Sequence, residues 1–207
     1  MRSPILLLSA LLLAAPGCAV PEVAPPGLTL TPSQTEGPFY PRPIPDETDQ
    51  DLTRMDGAPG AAAGDVIMLS GHVRRADGSA LGGAVVEIWQ ADAQGIYQHP
   101  NDPRRARRDP NFQGYGRVVT DAQGRYVFRT VRPAPYAWRT AHIHVRVHPA
   151  DGSAAFTTQA YFPDEARNSR DIVLGFVRDS ARRQALMVRL QPDPAGTMHA
   201  EFDIVLR

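Results

Sequence analysis

From Asp65 onward, apolar and polar residues alternate in short runs: Val66 to Val73, Ala84 to Gln90, Gly116 to Thr120, Arg125 to Thr130, Ala141 to Val147, Ala155 to Phe162 and Ala200 to Leu206. A period of two over such lengths predicts strands that bury one face. Their regular spacing predicts an all-β sandwich or barrel with large irregular loops. Turn signals stand between the runs, at Asp77-Gly78 and at the repeated Asp-Ala-Gln-Gly of residues 92–95 and 121–124, where glycine can take the left-handed geometry that closes a hairpin. The repeat reads as convergent turn chemistry rather than a duplicated domain. One stretch differs: Ile172, Leu174, Val177, Ala181 and Leu186 approximate a helical stripe, so the segment Ile172 to Leu190 is expected to hold a short helix. Phe202 to Leu206 reads as a closing strand. Residues 29–63 follow neither period; aromatic residues set between prolines need something to pack against, so this segment is expected to be an ordered arm wrapped on the strand domain of residues 64–207.

The first residues follow another logic. Arg2, an apolar run from Ile5 to Ala15 and then Pro16-Gly17 have the layout of a secretory signal over residues 1–17, too short to span a bilayer as a permanent anchor. Cys18 follows directly, and the region resembles a bacterial lipoprotein signal whose cysteine receives lipid after cleavage, although Ala15 stands where leucine is usual. Residues 18–28, rich in proline and small side chains, read as a tether. Export to the periplasm or cell envelope, with membrane attachment through a lipidated Cys18, is the expectation. A single cysteine allows no intramolecular disulfide.

Composition narrows the functional classes. The 20 prolines and 17 glycines in 207 residues favour turns over long helices. All 22 basic residues are arginine and balance 22 acidic ones, so no overall charge argues for nucleic acid as a partner. The absence of lysine removes Schiff-base chemistry. The basic stretch from Asn101 to Asp109, with Arg104, Arg105, Arg107 and Arg108, reads either as a solvated loop or as a lure for an acidic aromatic substrate.

The strongest local candidate for chemistry is His142-Ile143-His144 within a strand-like run. Residues two apart share a face, so both imidazoles can turn to one metal while Ile143 faces the opposite layer. A pair this short also suits surface or satisfied core histidines. Tyr97, just past the Gly95 turn, and Tyr136, just before the histidine strand, sit where loop residues can point inward. Tyr126 follows a glycine by the same two residues, so spacing alone does not choose between them.

Several ordered motifs go further: Gln34-Thr35-Glu36-Gly37-Pro38, Val86-Glu87-Ile88-Trp89-Gln90-Ala91, Gly95-Ile96-Tyr97, Asp109-Pro110-Asn111-Phe112, Thr120-Asp121 with Gly124-Arg125-Tyr126, Pro135-Tyr136, Trp138-Arg139, Ala141-His142-Ile143-His144 and Thr158-Gln159-Ala160-Tyr161-Phe162. From about Thr31 to Leu206 the chain resembles the intradiol ring-cleavage dioxygenases, non-haem iron(III) enzymes that include protocatechuate 3,4-dioxygenases and catechol 1,2-dioxygenases. The resemblance implies a β-sandwich of that type. It also implies one Fe(III) per active site held by Tyr97, Tyr136, His142 and His144, and O2 as co-substrate. The implied reaction is cleavage of a small aromatic diol between its hydroxyl-bearing carbons to a muconate-type diacid, a step in aromatic compound catabolism. Tyr136 is the implied leaving phenolate and proton acceptor, Arg139 the guanidinium near the ring, and Gln159 a polar pocket residue. Hard anionic phenolates and imidazoles are a reasonable donor set for iron(III). The bridge from Trp138-Arg139 to the histidines is shorter than in related enzymes, which implies an altered pocket mouth. No helical dimerisation domain precedes the strands, which leans toward the protocatechuate-like architecture and leaves subunit number open. The competing reading is an exported, non-catalytic β-sandwich module that binds iron or catechol-type compounds.

Overall fold

The computed structural model describes residues 28–207; the expected signal segment, Cys18 and most of the tether lie outside the described residues. Among the described residues, nine strands form two sheets: β1 Val66–Arg75, β2 Val85–Trp89, β3 Tyr115–Val119, β4 Arg125–Val131, β5 His142–His148, β6 Phe156–Tyr161, β7 Arg189–Pro192, β8 Met198–Glu201 and β9 Ile204–Leu206. One sheet runs β4-β1-β8-β7, with β9 continuing along β1; the other runs β3-β2-β5-β6. The core lies between them. Alternation supplies its side chains: Ile67, Leu69 and Val73 from β1, Val86 and Ile88 from β2, and Ile143, Val145 and Val147 from β5 are all buried in one cluster. The β-sandwich is the fold that the strand pattern predicts.

The opposite face of the second sheet is also buried, and there the sequence is polar. Register places Trp89 beside His144 and His144 beside Gln159, with His142 beside Tyr161, so five residues of one face form a compact patch across three strands. Loops and the arm cover this patch. Residues 28–63 are mostly irregular and are pinned to both sheets by backbone hydrogen bonds: Thr31 to Val205, Gln34 to Thr157, Arg117 to Thr48 and Leu52 to Arg129. Leu52 is wholly buried, so the arm contributes to the core rather than lying on it.

The chain beyond Ile172 departs from the pattern-based expectation. Ile172 to Leu190 holds two helices of four and five residues, α1 Ile172–Gly175 and α2 Ser180–Gln184, followed by the start of β7, which the helical stripe conceals. Asp171 and Asp179 cap these helices, accepting from Leu174 N and Arg182 N. The expected last strand is broken into β8 and β9, both parallel to β1. The break lies at Phe202, whose carbonyl would stand 1.9 Å from a Cβ at position 71. Only glycine at 71 lets that corner approach, and the Tyr126 hydroxyl donates to the same carbonyl at 2.5 Å.

Candidate metal centre

Tyr97 is delivered by a turn. Asp92 accepts from the backbone N–H groups of Gln94 and Ile96 at 2.9 Å each, and Gly95 closes the turn at φ +74°. A Cβ at Gly95 would lie 2.9 Å from the Pro135 carbonyl, so its absence lets the two tyrosine-bearing loops pack together. Asp102, itself buried, accepts from Tyr97 N at 2.9 Å and from Arg104 N at 2.8 Å, fixing the loop just beyond. Asp121 makes the same pair of bonds in the second Asp-Ala-Gln-Gly turn, to Gln123 N and Arg125 N, but there the following tyrosine, Tyr126, enters the core.

Tyr136 comes from a tight bridge in which Tyr136 and Arg139 exchange backbone hydrogen bonds of 3.2 and 2.8 Å. Ala137 between them sits at φ +45°, an unfavourable conformation for a residue with a Cβ. This short bridge leads straight into β5. His142 Nδ1 faces the Thr140 carbonyl at 2.7 Å, which selects the tautomer with the proton on Nδ1 and leaves Nε2 as a lone-pair donor. His144 lies flat against Trp89, ring centroids 4.8 Å apart.

The structure brings all four residues together. Centroid separations are 5.3 Å for Tyr97 and Tyr136, 5.7 Å for Tyr136 and His142, 4.9 Å for the two histidines, and 6.4 Å for His144 and Tyr97. The Tyr97 hydroxyl, His142 Nε2 and His144 Nδ1 are buried with no hydrogen-bond partner. Three such atoms on adjacent rings are costly unless a ligand engages them, since each unpaired buried polar group is worth roughly 1–3 kcal/mol. Burial and the nearby Arg139 charge push His142 down to about 3, and burial, then His142 and Arg139, hold His144 well below the usual value, so both imidazoles are neutral donors. Burial, then the neighbouring Tyr136, raises Tyr97 well above the ordinary phenol value, and burial raises Tyr136. Two phenols that resist ionisation in this setting need a bound cation to become phenolates. Two phenols and two neutral imidazoles thus fit a hard, oxidised metal ion such as iron(III).

Arg139 and Gln159 lie in one buried network beside these residues. Arg139 donates through a terminal nitrogen to Gln159 Oε1 at 2.5 Å and to the Tyr161 hydroxyl at 3.2 Å, and through Nε to Asp171 at 2.8 Å. Gln159 Nε2 donates to the Thr35 carbonyl at 2.9 Å, tying the network to the arm. Sequence reasoning missed Asp171, Tyr161 and Phe39. Asp171 was findable as a helix cap before Ile172, but its ion pair with Arg139 spans 32 residues. Phe39 stacks on Tyr97 at 4.4 Å from the arm. A cleft of about 630 Å³ opens over Tyr136 and Arg139 between Phe39, Arg104, Trp138 and Val173. Of the basic loop residues, Arg104 alone lines this cleft, its guanidinium turned to the Gly95 carbonyl and Asp102. A second group with metal-ligating side chains, His72, Glu201 and Asp203, lies on the other sheet, where Arg189 spans both carboxylates at 2.8 and 2.9 Å and offsets part of their charge.

A family model described as dioxygenase matches residues 35–207. The chain is 38% identical over 169 residues to the protocatechuate 3,4-dioxygenase beta chain of Burkholderia cepacia, covering 77% of this chain and 72% of that one. The chain belongs to the intradiol dioxygenase family. The alpha chain of the same Burkholderia enzyme is 34% identical over 186 residues, covering 86% and 92% of the two chains. Among solved structures, the dioxygenase domain of a dioxygenase and carbohydrate-binding protein fusion from Streptomyces sp. SirexAA-E superposes with a TM-score of 0.64 at 31% identity, covering 86% of this chain and 98% of that one. The protein is thus a ring-cleaving dioxygenase of the intradiol type, as the sequence motifs imply, with its candidate ligands on β5, on the loop before it and on the loop after β2.

Proposed function

We propose that this intradiol dioxygenase binds one iron(III) through Tyr97, Tyr136, His142 and His144 and uses O2 to open a catechol-type ring to a muconate-type diacid. The observation that carries the reading is that the rings of Tyr97, Tyr136, His142 and His144 cluster together and that Tyr97, His142 and His144 each keep a buried polar atom without a partner. When bound there, iron(III) would supply Lewis acidity and one-electron chemistry toward a diol and oxygen. The remaining roles belong to the chain. Tyr97, behind Phe39 and fully buried, would remain a donor to the metal, whereas Tyr136 lines the cleft, so its oxygen, once ionised to the phenolate by the metal, would take a proton from an incoming diol. The fixed charge of Arg139 stabilises negative charge developing on the ring, with Gln159 and Asp171 holding the guanidinium in place. Phe39 and Trp138 form apolar walls of the cleft, with Trp138 at its exposed rim.

Oxygen uptake with product identification across catechol, protocatechuate, hydroxyquinol and chlorinated catechols tests this reading on iron-loaded protein. Ring-opened diacid with stoichiometric oxygen consumption, strongly reduced by Tyr136→Phe, is the expected result. Catechol binding without oxygen consumption or cleavage would instead establish the non-catalytic module. We also propose export and lipid attachment at Cys18, which mass spectrometry of the mature N-terminus checks directly.

A further inference from the structure

The surface around α1 and α2 combines exposed apolar side chains with cations. Ile172 is 58% and Phe176 77% exposed. Five arginines, Arg167, Arg170, Arg178, Arg182 and Arg183, share the segment, and Arg170, Arg178 and Arg182 make no side-chain ion pair among the described residues. Of the acidic residues here, Glu165 pairs with Arg132 and Asp171 with Arg139; Asp179 caps α2 and lines the groove with its charge kept, one anion against five arginines. A groove of about 590 Å³ separates Phe176, Arg178 and Arg182 from Pro32 and Ser33. The polypeptide therefore enters the domain on this face, four residues after Leu28, which is itself exposed. Leu28 lies ten positions after Cys18, a reach of at most roughly 35 Å when fully extended. Whatever holds the N-terminal segment holds this face nearby.

We propose that this face docks on an anionic phospholipid surface, with Ile172 and Phe176 entering the headgroup boundary and Arg170, Arg178 and Arg182 meeting phosphates. Apolar side chains ringed by arginine are the composition of interfacial surfaces. A second copy of the chain fits poorly, because a two-fold interface would set the same arginines against one another. Val173 lines both the groove and the catalytic cleft, so docking turns the cleft mouth toward the lipid.

The test uses the full chain with vesicles of brominated phosphatidylglycerol or brominated phosphatidylcholine and two single-site reporters, Phe176→Trp on this face and Val119→Trp on the exposed edge strand β3. The fluorescence of Trp89 and Trp138 is subtracted with the unsubstituted protein. Strong quenching at position 176 and little at 119, on the anionic vesicles, is the expected result. Arg178→Gln with Arg182→Gln should weaken partitioning by roughly 25-fold, about fivefold per arginine. Equal quenching at both reporters would mean attachment through the N-terminal segment alone and would overturn the proposal, as would quenching indifferent to lipid charge. A dimer in sedimentation velocity that dissociates on Phe176→Asp, with no quenching by vesicles, would assign the face to a second copy instead.

Discussion

Asp171→Asn isolates the buried ion pair that orients the charge nearest the reaction. The Asp171 side chain is fully buried and its partner Arg139 nearly so, with 2.8 Å between Oδ2 and Nε. The carboxylate also accepts from Thr140 N and Leu174 N at 2.9 Å each. Asparagine keeps the size but loses the charge and turns one acceptor into a donor that faces other donors. Removing one partner of a buried pair costs about 3–5 kcal/mol, because the other charge stays buried. At roughly 2–4 °C per kcal/mol for a domain of this size, Tm should fall by about 6–20 °C. Thermal unfolding of the wild type, Asp171→Asn, Arg139→Met and the double variant supplies the assay. The double variant should be less destabilised than the sum of the two singles by at least ~2 kcal/mol. Additive losses, or a Tm drop of under ~3 °C, would refute the coupling. The pH dependence has a definite sign. Burial pushes the Asp171 carboxyl up, but the Leu174 N–H, the Arg139 hydrogen bond and charge, and the Thr140 N–H hold it below the ordinary value. Its stabilisation is therefore complete above the unfolded-state value and is lost as pH falls through the lower folded-state value. The wild type should lose more stability on acidification than Asp171→Asn does.

Gly95→Ala places a Cβ 2.9 Å from the Pro135 carbonyl at φ +74°; it should cost about 1–2 kcal/mol from the left-handed backbone alone and separate the two tyrosine loops, read as weaker iron retention against a chelator. Leu52→Ala should lower stability by about 2–5 kcal/mol in chemical denaturation, as for a core residue, and a loss under ~0.5 kcal/mol would show the arm to be an appendage. Tyr126→Phe should leave the tyrosinate-to-iron absorption band of the loaded protein unchanged, whereas Tyr97→Phe should shift or abolish it.

The sequence carried the sandwich because its strands alternate cleanly: Ile143, Val145 and Val147 enter the core while His142 and His144 take the other face. The four candidate ligands were legible through their ordered motifs rather than their spacing, since Tyr97 and Tyr126 follow near-identical turns and only tertiary packing sends one to the site and the other to Phe202. Asp171 and Phe39 escaped because their partners lie far along the chain. The segment from Ile172 misled for a related reason: Leu174 and Leu186 pack with Tyr161 in a small separate cluster, so their spacing serves two helical turns and a strand instead of one helix.

The central claim is that Tyr97, Tyr136, His142 and His144 hold one iron ion. A crystal structure of the iron-loaded protein with anomalous scattering at the iron edge tests it most directly. The account predicts a single strong peak bounded by the two tyrosine oxygens and the two imidazoles; a peak at His72, Glu201 and Asp203, or none between the tyrosines and histidines, would contradict it.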